Sequence, residues 1–125
     1  MSGKVLVIAE AGVNHNGDRI LARELVAAAA DAGADMVKFQ TFCAAKVASK
    51  EAGLATYQKF SSQSPSQVEM LSKLELSIEM HEELIAACQA FGIDFFSTAF
   101  DLDSLEYLQS LSLPVIKVPS GELTN

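Results

Sequence analysis

Two lysines stand inside apolar runs, in Val37-Lys38-Phe39 and Ile116-Lys117-Val118, and two glutamates, Glu10 and Glu122, follow the apolar runs Val5 to Ala9 and Val115 to Val118. An ammonium placed in such a run loses its hydration, which is costly unless an anion accompanies it. That anion is either a protein carboxylate or a ligand. Gln40, Thr98 and Ser120 recur at the same kind of position, just where an apolar run gives way to polar residues. Two lysines with such hydroxyls and loop amides suit a ligand that carries phosphate and carboxylate together. Glu10 and Glu122 then supply acceptors or a base. In the competing reading Lys38 and Lys117 pair with those two glutamates alone, as an interior ion network.

The elements that hold these residues follow from periodicity. Val5 to Ala9 is a continuous aliphatic run of the kind expected in a parallel strand covered on both faces. Alternation then puts Glu10 on the face of Leu6 and Ile8. After a turn at Gly12 to Gly17, Asp18 is a natural N-cap for a helix from Arg19, with Ile20, Leu21, Leu25 and Ala28 on one side and Gly33 as its stop. The second strand, Met36 to Thr41, sends Val37 and Phe39 one way and Met36, Lys38 and Gln40 the other. Residues 42–64 show no strong period, and a loop of that length at the carboxyl end of a strand reads as a substrate-covering lid.

Ser64, Pro65 and Gln67 form the start of a further helix, carrying Val68, Leu71 and Leu74. Ser77 caps the next, whose Met80, Leu84, Cys88 and Phe91 follow helical spacing and leave His81 on the exposed face. Ile93 to Phe100 is the third strand, with Phe96 and Thr98 on one face and Phe95 and Ser97 on the other. Asp101 caps a short helix carrying Leu102, Leu105, Leu108 and Leu111. Val115 to Val118 is the fourth strand.

Four strands that each end in a polar group are what a (β/α)8 barrel requires, because its reacting groups come from the carboxyl ends of several strands. An open doubly wound sheet would gather its chemistry at one switch point. The expected fold is therefore α/β of the TIM-barrel type, with about the first four strands in this chain. At 125 residues and 50% hydrophobic, one core is expected. The net charge of -7 excludes a nucleic-acid or anionic-membrane surface, so any anion site is local. Cys43 and Cys88 form no C-x-x-C, the first apolar run is too short for a signal peptide or a membrane span, and a cytoplasmic protein with reduced thiols is expected. His15, in an Asn-rich turn, has no second ligand at metal spacing.

The segments Ala9-Glu10-Ala11-Gly12-Val13-Asn14-His15-Asn16-Gly17, Val37-Lys38-Phe39-Gln40-Thr41, Phe96-Ser97-Thr98-Ala99-Phe100-Asp101 and Ile116-Lys117-Val118-Pro119-Ser120-Gly121-Glu122 resemble the sialic acid (N-acetylneuraminate) synthase family. The resemblance implies a TIM barrel, of which residues 1–125 are the N-terminal half, that condenses phosphoenolpyruvate with an N-acetylated hexose such as N-acetylmannosamine to give a nonulosonic acid and phosphate. By the same resemblance, Lys38, Thr98, Lys117 and Ser120 correspond to phosphoenolpyruvate contacts and Glu10 and Gln40 to groups that hold the sugar. It further implies a divalent metal, Mn2+ or Mg2+, that polarises the sugar aldehyde while C3 of phosphoenolpyruvate attacks it. Water then adds at C2 and phosphate leaves. Glu10 is a catalytic candidate, and Glu122 a candidate to orient or deprotonate that water.

Ala99 stands where many relatives have proline, a change expected to loosen one turn. The family's metal-binding histidines, second half-barrel and small C-terminal antifreeze-like domain are expected beyond Asn125, so the isolated chain is expected to be inactive and the full-length enzyme a homodimer. Pseudaminate and legionaminate synthases share these motifs and are alternatives within the family. The rival from another class is a non-catalytic half-barrel that binds phosphorylated anions or assembles with a partner.

Overall fold

The computed structural model describes residues 3–48 and 65–123. Three parallel strands, β1 (Ile8–Gly12), β2 (Met36–Thr41) and β3 (Asp94–Ala99), lie in sequential order. Helix α1 (Arg19–Asp31) joins the first two; α2 (Pro65–Ser72) and α3 (Ile78–Phe91) precede β3, and α4 (Leu102–Ser110) follows it. One apolar cluster joins Val26 of α1 and Leu84 of α3 to Val37, Phe39 and Phe95 of the sheet. Both helices therefore cover the same face. A doubly wound sheet would reverse its strand order and carry helices on both faces; this sheet does neither, and its other face presents Lys38, Gln40 and Thr98.

The caps explain where the helices begin. The Asp18 carboxylate accepts the N–H groups of Ile20 at 2.8 Å and Leu21 at 3.1 Å, the Ser77 hydroxyl accepts that of Met80 at 3.1 Å, and Asp101 accepts that of Ser104 at 2.8 Å. Each satisfies donors that the first helical turn leaves open. Helix α1 ends at Gly33, whose φ of +85° is the expected left-handed stop. Ser64, the expected cap of α2, lies outside the described residues, as does most of the expected lid. Of the latter, residues 44–48 are helical.

Several expectations are corrected. The first strand begins three residues later than the aliphatic run, because its pairing with β2 starts at Ile8 opposite Met36; Val5, Leu6 and Val7 before it are exposed. Asp35 secures this approach to β1: its carboxylate accepts the Val7 N–H at 2.9 Å, and its own N–H donates to the Val7 carbonyl at 2.8 Å. In α1 the buried stripe is Ala22, Val26 and Ala29, whereas Ile20 and Ala28 face solvent. Small side chains let α1 sit close to the sheet. Leu102 is exposed, and Phe91 is half out of the core with the Arg23 guanidinium 5.5 Å above its ring. Val115 to Val118 forms no full strand but one parallel bridge, Thr98 to Lys117, followed by a 3-10 turn at Ser120–Glu122. His81, expected outside, is 1% exposed; its ring is held between Phe95 and Tyr107 by hydrogen bonds at both nitrogens. Among the described residues no helix is long and apolar enough to cross a membrane.

Candidate functional site

Alternation along β2 and the parallel register fix which side chains meet. Glu10 pairs with Lys38, Lys38 with Phe96, and Gln40 with Thr98, all on the face without helices. The Lys38 ammonium lies 2.6 Å from Glu10 Oε1 and donates to Thr98 Oγ1 at 3.3 Å. Its side chain is 10% exposed, against 52% for Glu10. The cation is thus buried while its counter-ion is half in water. Beyond Glu10 the register with β2 shifts, so that Gly12 rather than Ala11 stands opposite Phe39. This bulge turns Ala11 into the core and sets Gly12 beside both the Gln40 amide and the Glu10 carboxylate, 3.5 and 3.7 Å from where its Cβ would be.

Glu10, Lys38, Gln40 and Thr98 therefore form one cluster. Lys117 joins its edge through the backbone bridge to Thr98. Lys117 and Glu122 also line a hollow of about 610 Å3 with Lys46, Asp101 and Asp103, and Lys46 pairs with Asp103 across it. Ser120 is exposed, at the start of the 3-10 turn that follows Lys117.

Asp101 does more than cap α4. Its Oδ2 accepts the Cys43 N–H at 2.8 Å and the Ser104 hydroxyl at 2.9 Å, tying the segment after β2 to the one after β3. Burial alone would raise this carboxyl, but the Ser104 and Cys43 N–H groups, the Ser104 hydroxyl and nearby Lys46 together hold it below its ordinary value. Glu75 anchors the same segment by accepting the Ala44 N–H at 2.6 Å.

The Asn14-His15-Asn16-Gly17 turn acquires a structural account. His15 is fully buried with its ring 6.2 Å from that of Phe39, and its Nδ1 accepts the Gly17 N–H at 2.8 Å. Nε2 consequently carries the proton; it is buried, with no partner among the described residues. Desolvation, then the proximity of His81, lowers the pKa of this ring below its ordinary value. At Gly17 itself φ is +74° and a Cβ would come 2.2 Å from the Lys73 carbonyl oxygen, so only glycine lets this turn pass beneath the end of α2.

Reasoning from sequence missed a second polar cluster on the helix-covered face. Thr41 Oγ1 is 2.8 Å from His81 Nε2 and 2.6 Å from Ser97 Oγ, all buried. The available signal was the alternation itself, which puts Thr41 and Ser97 on the face of Phe39 and Phe95. Among the described residues no three His, Cys, Asp or Glu side chains converge as a metal site, and His15 Nε2 is sealed. By themselves the described residues offer no such set for the divalent metal that the resemblance implies, whose ligands it places beyond Asn125.

The NeuB family model matches residues 25–125. The chain is 51% identical over 123 residues to the N,N'-diacetyllegionaminic acid synthase of Campylobacter jejuni, covering 98% of this chain and 37% of that protein. It is 52% identical over 120 residues to the Legionella pneumophila synthase of the same name, covering 95% and 34%. It spans little more than a third of these curated relatives. Among solved structures, the N-acetylneuraminic acid synthetase of Leptospira borgpetersenii, in complex with citrate, superposes with a TM-score of 0.71 at 27% identity, over 94% of this chain and 40% of that one.

Proposed function

The chain belongs to the NeuB family, and on that premise we propose that it is the anion-binding part of a synthase that condenses phosphoenolpyruvate with an N-acetylated hexose, forming a nonulosonic acid and phosphate. The observation that carries this reading is the buried Lys38 ammonium on the helix-free face, set between Glu10 at 2.6 Å and Thr98 at 3.3 Å. A half-exposed glutamate is a replaceable partner for it, and a phosphate or carboxylate oxygen has the same charge and acceptor geometry.

In this reading Lys38 and Thr98 bind one anionic group of phosphoenolpyruvate, and Lys117 and Ser120 close on the other. The Gln40 amide and Glu10 carboxylate, which flank Gly12, orient hydroxyls of the sugar. Once Lys38 turns to the ligand, Glu10 becomes an available acceptor beside the reacting carbons. Glu122, lining the hollow with Lys117, orients the water that adds at C2. The fold extends to a closed (β/α)8 barrel: sequential parallel order, helices on one face, and exposed Val5, Ile116 and Val118 along the two sides of the sheet all support further parallel neighbours.

Identities of 51% and 52% to diacetyllegionaminic acid synthases, against 27% to a sialic acid synthetase, favour a sugar with two acetamido groups over N-acetylmannosamine. Phosphate release by the intact protein, with phosphoenolpyruvate and either a 2,4-diacetamido hexose or N-acetylmannosamine, tests this. Faster turnover of the diacetamido sugar is expected. Tight phosphoenolpyruvate binding with no turnover of either sugar would favour the non-catalytic half-barrel instead.

A further inference from the structure

Beneath the lysine site, on the opposite face of the same two strands, lies a chain of hydrogen bonds whose directions are fixed at one end. The Ser77 carbonyl, which also accepts the His81 backbone N–H at 3.0 Å, lies 2.8 Å from His81 Nδ1. A carbonyl only accepts, so Nδ1 carries the proton, and in the neutral ring Nε2 is an acceptor. The Thr41 hydroxyl therefore donates to Nε2 at 2.8 Å, and its oxygen accepts from the Ser97 hydroxyl at 2.6 Å. Each hydrogen bond in the chain thus has one direction. The polar row crosses an otherwise aromatic layer of Phe39, Phe95 and Tyr107, where apolar residues would fill the space without directional demands.

The row joins the end of β2 to β3 and both to the start of α3. Its members alternate with ligand-facing residues: Thr41 follows Gln40, and Ser97 precedes Thr98. The backbone adds a tie at the same level, the Phe100 N–H donating to the Thr41 carbonyl at 3.1 Å. On the ligand face, by contrast, Lys38 reaches Thr98 across these two strands by a longer bond of 3.3 Å. We propose that His81, acting through Thr41 and Ser97, is a positioning residue that holds the carboxyl ends of β2 and β3 at the spacing that lets Lys38 and Thr98 engage one anion. This rests on the phosphoenolpyruvate reading above and deepens it.

Calorimetric titration of the intact protein with phosphoenolpyruvate separates position from stability. A structural defect lowers the fraction of competent sites at unchanged Kd, whereas a positioning defect raises Kd at unchanged stoichiometry. Thr41→Val, which removes the hydroxyl at constant shape, is expected to raise Kd about tenfold or more, in line with the sensitivity of bound geometry to small displacements. Thr41→Ser, which keeps the hydroxyl, is expected to stay within about twofold of the parent, since the bond is restored. Where Thr41→Val fails to fold, Ser97→Ala takes its place with a severalfold rise in Kd. Nitrogen-15 spectra of the imidazoles are expected to show His81 protonated at Nδ1. Unchanged Kd in Thr41→Val or Ser97→Ala, or a proton on Nε2, overturns the positioning role while leaving the phosphoenolpyruvate reading intact. A parent protein that binds no phosphoenolpyruvate removes that reading, and this one with it.

Discussion

Replacing the two members of the Lys38–Glu10 pair in turn separates a ligand site from a structural ion pair, because their burial is unequal. Glu10→Gln leaves the ammonium at 10% exposure without a counter-charge, its partners reduced to a neutral amide oxygen and the Thr98 hydroxyl at 3.3 Å. Stranding one charge of a fully buried pair costs roughly 3–5 kcal/mol. With Glu10 52% exposed the loss is scaled to about 2 kcal/mol, since half of its charge is already screened by water. Lys38→Met does the reverse: the buried charge disappears, the aliphatic volume is kept, and Glu10 rehydrates, for about 1 kcal/mol or less. Ligand affinity is expected to follow the opposite order. Losing a charge-assisted hydrogen bond costs about 1.5–3 kcal/mol, a 10- to 150-fold rise in the phosphoenolpyruvate Kd for Lys38→Met. Glu10→Gln, which removes the competing carboxylate, is expected to bind phosphoenolpyruvate at least as tightly as the parent, and added phosphate is expected to restore its melting temperature. Thermal melts with and without phosphate, together with calorimetry, read all four quantities. A Lys38→Met protein that is the less stable of the two and binds phosphoenolpyruvate normally would return the pair to a purely structural role.

Gly17→Ala is expected to lower stability by roughly 2–4 kcal/mol, from a left-handed backbone and a Cβ driven into the Lys73 carbonyl; a thermal melt matching the parent would contradict this. His15 and His81 both have their pKa lowered by burial, so as pH falls below the ordinary value near 6.5 the unfolded chain takes up these protons first. Stability is accordingly full above about pH 6.5 and declines as pH falls through the depressed folded values; melting temperatures from pH 8 to pH 5 that do not fall would exclude it. The Cys88 thiol is pushed up to about 12 by burial and, secondarily, by Asp94, whereas Cys43 is only half-buried. Brief alkylation at pH 8 followed by peptide mapping is therefore expected to label Cys43 and spare Cys88.

Legibility of the fold tracked local chemistry. Asp18, Ser77 and Asp101 could be read as caps because a carboxylate or hydroxyl before a periodic apolar run has few other uses, and all three cap helices. The faces of β2 and β3 were legible for the same reason: a period of two depends on neighbours in sequence alone. Lys38, Thr98, Gln40 and Glu10 could thus be placed on one surface, and the structure brings them together. What the sequence concealed depended on packing between elements. His81 looks like an exposed polar residue until Thr41 and the Ser77 carbonyl supply partners for both its nitrogens. Ile20 looks like core until the alanines beside it prove to make the close contact with the sheet. The start of β1 was placed too early because an aliphatic run becomes a strand only where a neighbour pairs with it, and β2 begins opposite Ile8.

The two faces of β2 divide two kinds of polar work, and the division explains why so many polar side chains are tolerated in one strand. On the helix-covered face the one O–H of Thr41 is committed to His81 and its oxygen accepts from Ser97, both buried, so it has no donor left for a ligand and much to lose if a neighbour moves. On the opposite face Lys38 has three N–H donors and two protein partners, one of them a carboxylate half in water. In the proposed reading the committed row sets the geometry, and the cation on the opposite face of the same strand exchanges Glu10 for a substrate oxygen. An inhibitor built on a dianion would therefore gain affinity from Lys38 only while Thr41 keeps its hydroxyl, which couples the two substitutions. The double variant Lys38→Met/Thr41→Val is expected to lose less phosphoenolpyruvate affinity than the two single losses combined. Additive losses would mean that the two faces act independently and that the row beneath serves stability only.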